Sequence, residues 1–518
     1  MYYTQSLHRA MQQRADQVIS VYQGRRRTVS EFAERVARLA AGLQSLGVSD
    51  GDRVAMLGFN SDRYLEYTFA VPWAGGALNP VNFRWHAAEI AHSLEDSDSQ
   101  LLIVDDPFTD LVPQLRETAP MLRQVIYAGE GDTPAGMVSY EQLIRDHEPA
   151  HDARRHGDDL LGLFYTGGTT GFPKGVMLSH RNLLTDALAI NGEGFATPGG
   201  VYLHLAPMFH LADLTNSTIN WLQGARHVMI PTASPRQVIE TIEAEGITDC
   251  LLVPTMLRMV LDDPVMTEGR DVSSLRRIIY GTSPIPEAVL DRALAAFPNA
   301  GFVQAYGMTE LGSIATILPP VDHTPAGRVG NRLRSAGRAT YCTEVKIVDK
   351  QDLEVPRGTV GEIVVRGPNV MLGYWNNPAA TVEATRGGWM HTGDGGYMDD
   401  GGYIFVVDRI KDMIITGGEN VYSAEVENAL AQHPGVAASA VIGRPDPKWG
   451  ESVHAVVVPR PSVEISAAEL IAFCQDRLAR YKCPRSVDFV AELPLSGAGK
   501  ILKNELRARY AGNAPSVQ

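Results

Sequence analysis

Apolar residues recur first at helical and then at strand spacing, over and over, through more than half of this 518-residue chain. The first clear case is Thr28-Val29-Ser30-Glu31, which has capping-box spacing. Phe32, Val36, Leu39, Leu43 and Leu46 follow at helical intervals until Gly47 ends the run. Short apolar runs at 54–57, 101–104 and 125–127 read as strands with helical stretches between them. The rhythm continues as a helix at 180–191, a strand at 227–230, a helix at 235–245 and strands at 249–253 and 276–280. Such alternation implies parallel βαβ units, in which each crossover packs a helix back onto the sheet.

The pattern changes after about Gly337. Residues 344–348, 361–366 and 403–407 are short strands separated by turn residues, as in an antiparallel unit. Asp408-Arg409-Ile410-Lys411-Asp412 interrupts with charge; beyond it 423–432 and 467–480 read as helices, and 438–442 and 453–458 as strands. The chain is too long for one hydrophobic core. The expected division is an N-terminal domain over residues 1–410 and a small C-terminal domain over residues 411–518.

Within this framework one loop stands apart. Tyr165-Thr166-Gly167-Gly168-Thr169-Thr170-Gly171-Phe172-Pro173-Lys174-Gly175 packs four glycines and three threonines into eleven residues. Glycine lets a backbone approach a ligand with no Cβ in the way. Successive N–H groups in such a loop form a nest for anionic oxygens, to which threonine hydroxyls and a lysine add donors and charge. The apolar run at 160–165 reads as a buried strand that presents the loop. A Walker A loop needs glycine before its lysine and Ser or Thr after it; here Pro173 precedes Lys174 and Gly175 follows. The spacing also fails the dinucleotide-binding G-x-G-x-x-G pattern.

A formal net charge of −14 argues against a nucleic-acid partner, which needs a basic footprint. Arg25-Arg26-Arg27 is the local exception and reads as a solvated turn, with contact to an anionic lipid surface as the alternative. Cys250, Cys342, Cys474 and Cys483 show no C-x-x-C pairing and suggest reduced thiols. No apolar run approaches the ~18 residues of a membrane span. The N-terminal Met1-Tyr2-Tyr3-Thr4-Gln5 has no signal-peptide layout, and the C-terminal Pro515-Ser516-Val517-Gln518 is no peroxisomal address. The expected location is cytoplasmic.

Four further segments join the loop. Tyr306-Gly307-Met308-Thr309-Glu310 offers an aromatic face, a hydroxyl and a carboxylate, and Trp389-Met390-His391-Thr392-Gly393-Asp394 places an acid on a Gly-containing turn. Asp408-Arg409-Ile410-Lys411 leads to Gly417-Gly418-Glu419-Asn420, and Pro494-Leu495-Ser496-Gly497-Ala498-Gly499-Lys500 ends on a lysine. In this order, from about Thr28 to Arg507, they closely resemble the adenylate-forming (AMP-binding) superfamily of acyl- and aryl-CoA synthetases, luciferases and peptide-synthetase adenylation domains. Within it the chain looks most similar to bacterial fatty-acyl-CoA synthetases. Pro207-Met208-Phe209-His210, Asp412-Met413-Ile414-Ile415, the run through Val421-Tyr422 and Leu478-Ala479-Arg480-Tyr481-Lys482 carry that likeness.

The resemblance implies an α/β fold: a large N-terminal domain of stacked αβ subdomains plus a small β-barrel-like subdomain, with a small mobile C-terminal α+β domain. It implies an ATP-dependent acyl-CoA synthetase that forms an acyl-adenylate with release of pyrophosphate and then transfers the acyl group to coenzyme A. Carried over residue by residue, Thr166, Gly167, Gly168, Thr169, Thr170, Gly171 and Lys174 would cradle the β- and γ-phosphates. Glu310 would hold Mg2+, Thr309 would donate to the α-phosphate and Tyr306 would stack on adenine. Gly281, Thr282 and Ser283 resemble the other wall of the adenine site, and Asp394, with Arg409 nearby, would accept from the ribose hydroxyls. Lys500 would bridge the substrate carboxylate and the α-phosphate. Lys411 matches the hinge, and Gly417, Gly418 and Glu419 would help form the CoA channel. Many members carry serine where this loop has Gly167, which removes one hydroxyl donor and leaves the backbone N–H.

His210, Leu211 and Leu214 mark the expected acyl pocket, where Ile219 and Trp221 also suit an alkyl chain or a ring. Asp213, Thr215, Asn216 and Thr218 mix in polarity. Medium- or long-chain fatty acids come first as substrates, with aryl or arylalkanoic acids as the alternative. His210 also reads as a histidine satisfied at a strand end. Trp449 is either small-domain core or a residue on the CoA side. His147-Glu148-Pro149-Ala150-His151 matches the zinc signature H-E-x-x-H, but Pro149 does not suit the helix that this motif requires. No G-x-S-x-G elbow supports a serine hydrolase. A non-catalytic nucleotide sensor would have lost Lys500, Glu310 and Asp394, which are all present. Loading of an acyl carrier protein is the rival to CoA; the absence of an appended carrier domain favours CoA. Peripheral membrane contact and a homodimer stay open.

Overall fold

The computed structural model describes residues 1–166, 173–281, 285–461, 463–495 and 501–510. Among these the strands form four sheets. By contacts the chain divides into two compact units: Met1–Thr282, Arg292–Val345 and Val365–Met390 in one, and Ser283–Asp291, Lys346–Val364 and His391–Gln518 in the other.

The first unit contains two large sheets. In one, the strands Ala77–Pro80, Arg53–Leu57, Leu101–Val104 and Gln124–Tyr127 pair in parallel in that order, and Leu160–Thr166 joins Ala77–Pro80, also in parallel. The direction then reverses. Lys174–Ser179 returns antiparallel on Leu160–Thr166, and Gly373–Tyr374 adds a further antiparallel strand. The expected βαβ rhythm therefore breaks at the Gly-rich loop, because a parallel crossover needs a dozen or more residues and this connection is shorter. In the other sheet Gly301–Tyr306, Arg277–Gly281, Asp249–Leu251, Val201–His204, Arg226–Met229 and Val18–Tyr22 are parallel neighbours, and Thr316–Leu318 pairs antiparallel with Gly301–Tyr306.

Local chemistry sets the helices of this unit. Helix Val29–Ser45 starts at the expected capping box: the Glu31 N–H donates to Thr28 Oγ1 (3.2 Å) and the Thr28 N–H to Glu31 Oε2 (2.8 Å). Its buried stripe includes Phe32, Val36, Leu39 and Leu43. Phe32 meets Phe69 of helix Asp62–Trp73 and Trp221 of helix Leu211–Leu222, with ring centroids 5.6 and 5.4 Å away. Trp221 is thus a joint of the core between three helices.

Arg25-Arg26-Arg27 is not a solvated turn. It forms the strand Arg25–Thr28, and each guanidinium meets carboxylates: Arg25 with Asp62 (2.9 Å) and Glu130 (2.7 Å), Arg26 with Glu245 (2.6 Å), and Arg27 with Asp62 and Glu66 (both 3.3 Å). Asp62 and Glu66 are buried: Asp62 takes its cations from this strand, and Glu66 pairs with Arg27 and with Arg35 (2.6 Å), so both buried acids are paired. Residues 147–151 are irregular, so the two histidines of the H-E-x-x-H match do not share a helix face. No described helix is long and apolar enough to cross a membrane.

The second unit contains a four-stranded sheet in the order Glu344–Val348, Gly361–Arg366, Met390–Met398, Ile404–Arg409; ends of three of these strands fall in the first unit. Its other sheet pairs Val436–Asp446 with Gly450–Pro459, flanked by Ile414–Thr416, Glu419–Val421 and Ser486–Phe489. Helices Ser423–Leu430 and Ala467–Gln475 supply Val426, Leu430, Leu470 and Cys474 to its core. The second helix ends at Gln475, earlier than its apolar pattern predicts; past it the Arg477 and Leu478 N–H groups share the Cys474 carbonyl (3.0 and 2.8 Å).

Candidate active site

The strand Leu160–Thr166 ends opposite the start of Lys174–Ser179, and Thr166 and Lys174 are direct cross-strand partners. The Gly-rich loop is therefore a hairpin connection whose two ends are tied together. Gly167, Gly168, Thr169, Thr170 and Gly171 lie outside the described residues, as do Thr282, Ser283 and Lys500.

Glu310 lies in a one-turn 3-10 segment, Thr309–Leu311, that follows the strand Gly301–Tyr306. The glycine between them is explained by space: a Cβ on Gly307 would fall 2.1 Å from the Ser313 carbonyl oxygen. The turn is held from several sides. The Met371 N–H donates to the Glu310 carbonyl (2.9 Å), and Asn369 Nδ2 donates to the carbonyls of Leu311 (2.8 Å) and Ile314 (3.3 Å). Thr215 Oγ1 donates to the Gly312 carbonyl (3.1 Å). Asn182 secures the segment that supplies Asn369, donating to the carbonyls of Pro368 and Val370, each at 2.8 Å. Four backbone groups of one short turn thus have fixed partners. A buried carboxylate set on such a frame is preorganised.

The Glu310 side chain is buried, and its Oε1 accepts a hydrogen bond from the Tyr374 hydroxyl (2.8 Å). Lys174 Nζ lies 4.9 Å from the centroid of the same tyrosine ring. One residue therefore links the lysine at the loop exit to the acid of the 306–310 motif. Burial, and then the nearby Glu310 charge, raises the Tyr374 phenol above its usual value, so it stays a hydrogen-bond donor. Tyr374 was invisible to motif reading: it is 64 positions from Glu310, and only the edge strand Gly373–Tyr374 brings them together. Among the described residues no cluster of three or more His, Cys, Asp or Glu side chains could hold a metal by itself. A single buried carboxylate fits a hard cation that takes its other ligands from phosphates and water.

Elsewhere in this unit, Tyr306 ends its strand opposite Thr316, and Gly281 pairs with Ala305 beside it. His210 does not end a strand; it is the residue before helix Leu211–Leu222, its ring 4.0 Å from Phe209 by centroids. Phe209 meets Phe83 at 5.0 Å and Phe83 meets Phe59 at 4.9 Å, which makes this an aromatic neighbourhood. Leu211 and Leu214 are buried. Three polar side chains on the same helix have partners within the fold. Asp213 Oδ2 lies 2.8 Å from His204 Nδ1, Thr215 bonds Gly312, and Thr218 Oγ1 returns to the Leu214 carbonyl (2.7 Å). Asn60, which carried no sequence signal, clamps the approach to His210. Its amide donates to the carbonyls of His204 (3.2 Å) and Ala206 (2.9 Å) and accepts from the Met208 N–H (2.8 Å).

In the second unit Asp394 and Arg409 are cross-strand partners, with Oδ1 and Nε 2.6 Å apart. Glu362 supports that strand, accepting from the Gly393 N–H (3.0 Å) and lying 2.9 Å from His391 Nδ1. Lys411 is exposed in the short segment Ile410–Asp412. On either side of it, Asp408 accepts from Ser423 Oγ (2.6 Å) and Asp412 meets Arg507 (2.5 Å). Gly417 and Gly418, at φ +61° and +87°, form a two-residue turn between Ile414–Thr416 and Glu419–Val421. Positive φ at both central positions is the type I′ requirement, and glycine meets it without strain. Trp449 packs over Gly417, leaving 2.8 Å to an added Cβ.

Residues 7–375 match the AMP-binding enzyme family, and residues 425–500 match the AMP-binding enzyme C-terminal domain. The chain belongs to the AMP-binding enzyme family. It is 42% identical over 488 residues to a feruloyl-CoA synthase of Amycolatopsis sp, covering 93% of this chain and 94% of that one. It is 39% identical over 497 residues to the fatty acid–[acyl-carrier-protein] ligase ScoC of Streptomyces coeruleorubidus, covering 95% and 93%. Among solved structures, ATP-bound MatB from Rhodopseudomonas palustris superposes with a TM-score of 0.89 at 30% identity over 99% of both chains. This AMP-binding enzyme is accordingly an acid–thiol ligase that uses ATP, and its α/β fold matches adenylate-forming structures with a large N-terminal and a small C-terminal domain.

Proposed function

We propose that this AMP-binding enzyme joins a carboxylic acid to coenzyme A in two half-reactions, with medium- or long-chain fatty acids as its acids. In the first, a carboxylate oxygen bonds to the α-phosphorus of ATP as the bond to the bridging oxygen breaks and pyrophosphate leaves. In the second, the CoA sulfur bonds to the acyl carbon, AMP departs and the thiol proton passes to solvent. The observation that carries this reading is the meeting of Lys174 and Glu310 on one tyrosine, which gathers a cation and a buried acid where the phosphate loop ends.

The remaining roles are part of the same proposal. Thr166 and Lys174, with the loop they bracket, would hold the β- and γ-phosphates. Glu310 would hold Mg2+, a fit that its fixed, buried carboxylate supports. Bound there, the metal supplies positive charge against the phosphate oxygens. Thr309 would donate to the α-phosphate, Tyr306 and Gly281 would flank adenine with Thr282 and Ser283, and Asp394 with Arg409 would hold the ribose. Lys500 would stabilise charge between the carboxylate and the α-phosphate. Lys411 would be the pivot between the half-reactions, with residues 411–518 moving as the small domain and Gly417, Gly418 and Glu419 bordering the path of CoA.

Leu211 and Leu214 support an alkyl chain. The aromatic pair of His210 and Phe209, together with a feruloyl-CoA synthase among the relatives, favours aryl acids as the second reading. Pyrophosphate release measured over alkyl and aryl acids, alone and with CoA or an acyl carrier protein, tests both. Release dependent on an alkyl acid, with thioester formed only on CoA, is expected. No release with any acid would overturn the reaction, and transfer only to the carrier protein would overturn the acceptor.

A further inference from the structure

The Glu310 carboxylate has two oxygens, and the structure treats them differently. Oε1 takes the Tyr374 hydroxyl at 2.8 Å, whereas Oε2 has no hydrogen bond among the described residues. Tyr374 is itself firmly placed. Its strand pairs with Lys174–Ser179 through Tyr374↔Val176, and its N–H donates to Thr381 Oγ1 (2.9 Å). The ring is buried between this edge and the Lys174 ammonium. The hydroxyl therefore cannot swing away at little cost.

We propose that Tyr374 sets the metal selectivity of the ATP site by reserving one oxygen of Glu310, so that the carboxylate can bind a cation through a single atom. The inference rests on the proposed role of Glu310. Mg2+ is small, prefers octahedral geometry and is bound by carboxylates one oxygen at a time, with water and phosphates completing its shell. Ca2+ is larger and gains from a carboxylate that grips with both oxygens. A phenol fixed on Oε1 takes one of that oxygen's lone pairs and so weakens the second contact, while the Mg2+ mode through Oε2 is left intact. The same hydrogen bond orients the carboxylate, and partners of this kind are commonly worth ~10–100-fold in metal affinity. Tyr374 thus acts as a positioning residue, with its hydroxyl directed to metal choice and its ring to the lysine.

The test compares the full-length protein with Tyr374→Phe, Tyr374→Leu, Glu310→Gln and the Glu310→Gln/Tyr374→Phe double variant. ATP binding is measured by calorimetry without acid or CoA, in EDTA, in Mg2+ and in Ca2+. Tyr374→Phe keeps the ring beside Lys174, and the affinity of each variant in Mg2+ and in Ca2+ is read against its own affinity in EDTA. Tyr374→Phe should cut the preference for Mg2+ over Ca2+ by about tenfold. Tyr374→Leu should lose that preference and also weaken ATP binding in EDTA by several-fold, because the lysine loses its ring. In the Glu310→Gln background, removing the hydroxyl should change nothing further. If wild type prefers Mg2+ and Tyr374→Phe keeps the same ratio, the role of Tyr374 falls and the reading of the site stands. If wild type binds ATP equally with and without metal, the role of Glu310 falls and takes this proposal with it.

Discussion

Glu310 owes its position to carbonyl partners as much as to its own side chain. Asn369 serves two of them, Leu311 and Ile314. Asn369→Ala leaves both carbonyls without that donor, a loss of about 1–3 kcal/mol. The expected result is a lower urea midpoint and a weakened response of pyrophosphate release to Mg2+, with the KM for the acid unchanged. Lys500→Ala should remove most acid-dependent ATP–pyrophosphate exchange while supplied acyl-adenylate is still converted to thioester; normal exchange in that variant would withdraw the role given to Lys500. At this scale the sequence was readable where residues lie close together. Tyr306, Thr309 and Glu310 share five positions, and a Gly-Thr-rich run advertises itself. Tyr374 and Asn369 were silent because their meaning comes from strand pairing and hydrogen bonds to residues more than fifty positions away. The polar residues of helix Leu211–Leu222 were silent in the same way: the partners of Asp213 and Thr215, His204 and Gly312, appear only in the fold.

At the scale of elements, the ion pairs by which Glu141 ties helix Tyr140–Asp146 to Arg35 of helix Val29–Ser45 (2.9 Å) and to Arg63 of helix Asp62–Trp73 (3.1 Å) have a pH signature. Burial opposes ionisation of Glu141, but hydrogen bonds and charge from Arg35 and Arg63 outweigh it and bring the carboxyl from 4.5 down to about 2. The unfolded chain takes up that proton first as pH falls. The stabilisation is therefore complete above about pH 4.5 and is lost on the way to about 2. Glu141→Gln should lower the urea midpoint at pH 7, and the two proteins should converge as pH nears the bottom of that window; a constant gap would rule out this origin. The Gly417-Gly418 turn makes a second case. Gly417→Val would place a branched side chain at positive φ against the Trp449 ring, so it should destabilise the small sheet as well as slow thioester formation. A loss confined to catalysis would show that the glycines serve the CoA path alone. Helix starts such as Thr28 were legible because their chemistry is local. The early end of Ala467–Gln475 was not, since the apolar spacing carries on past it to Leu478.

Across the whole molecule, a pivot at Lys411 predicts a split phenotype. Lys411→Pro should spare adenylation and slow thioester formation, measured by pyrophosphate release against thioester yield, and an equal loss of both would count against the pivot. The α/β character and the change of pattern near Gly337 could be read from periodicity, because each sheet imposes its own spacing on the chain. The reversal at the phosphate loop could not, since apolar runs do not record strand direction. That reversal has a practical corollary. Thr166 and Lys174 are stitched to each other, and the buried faces of their strands hold that register. Residues inserted between those two partners should yield a protein that melts normally and grips no phosphate. One residue removed from Lys174–Ser179 should instead turn that strand inside out. Gain and loss of length, a few positions apart, would injure two different properties of the same enzyme.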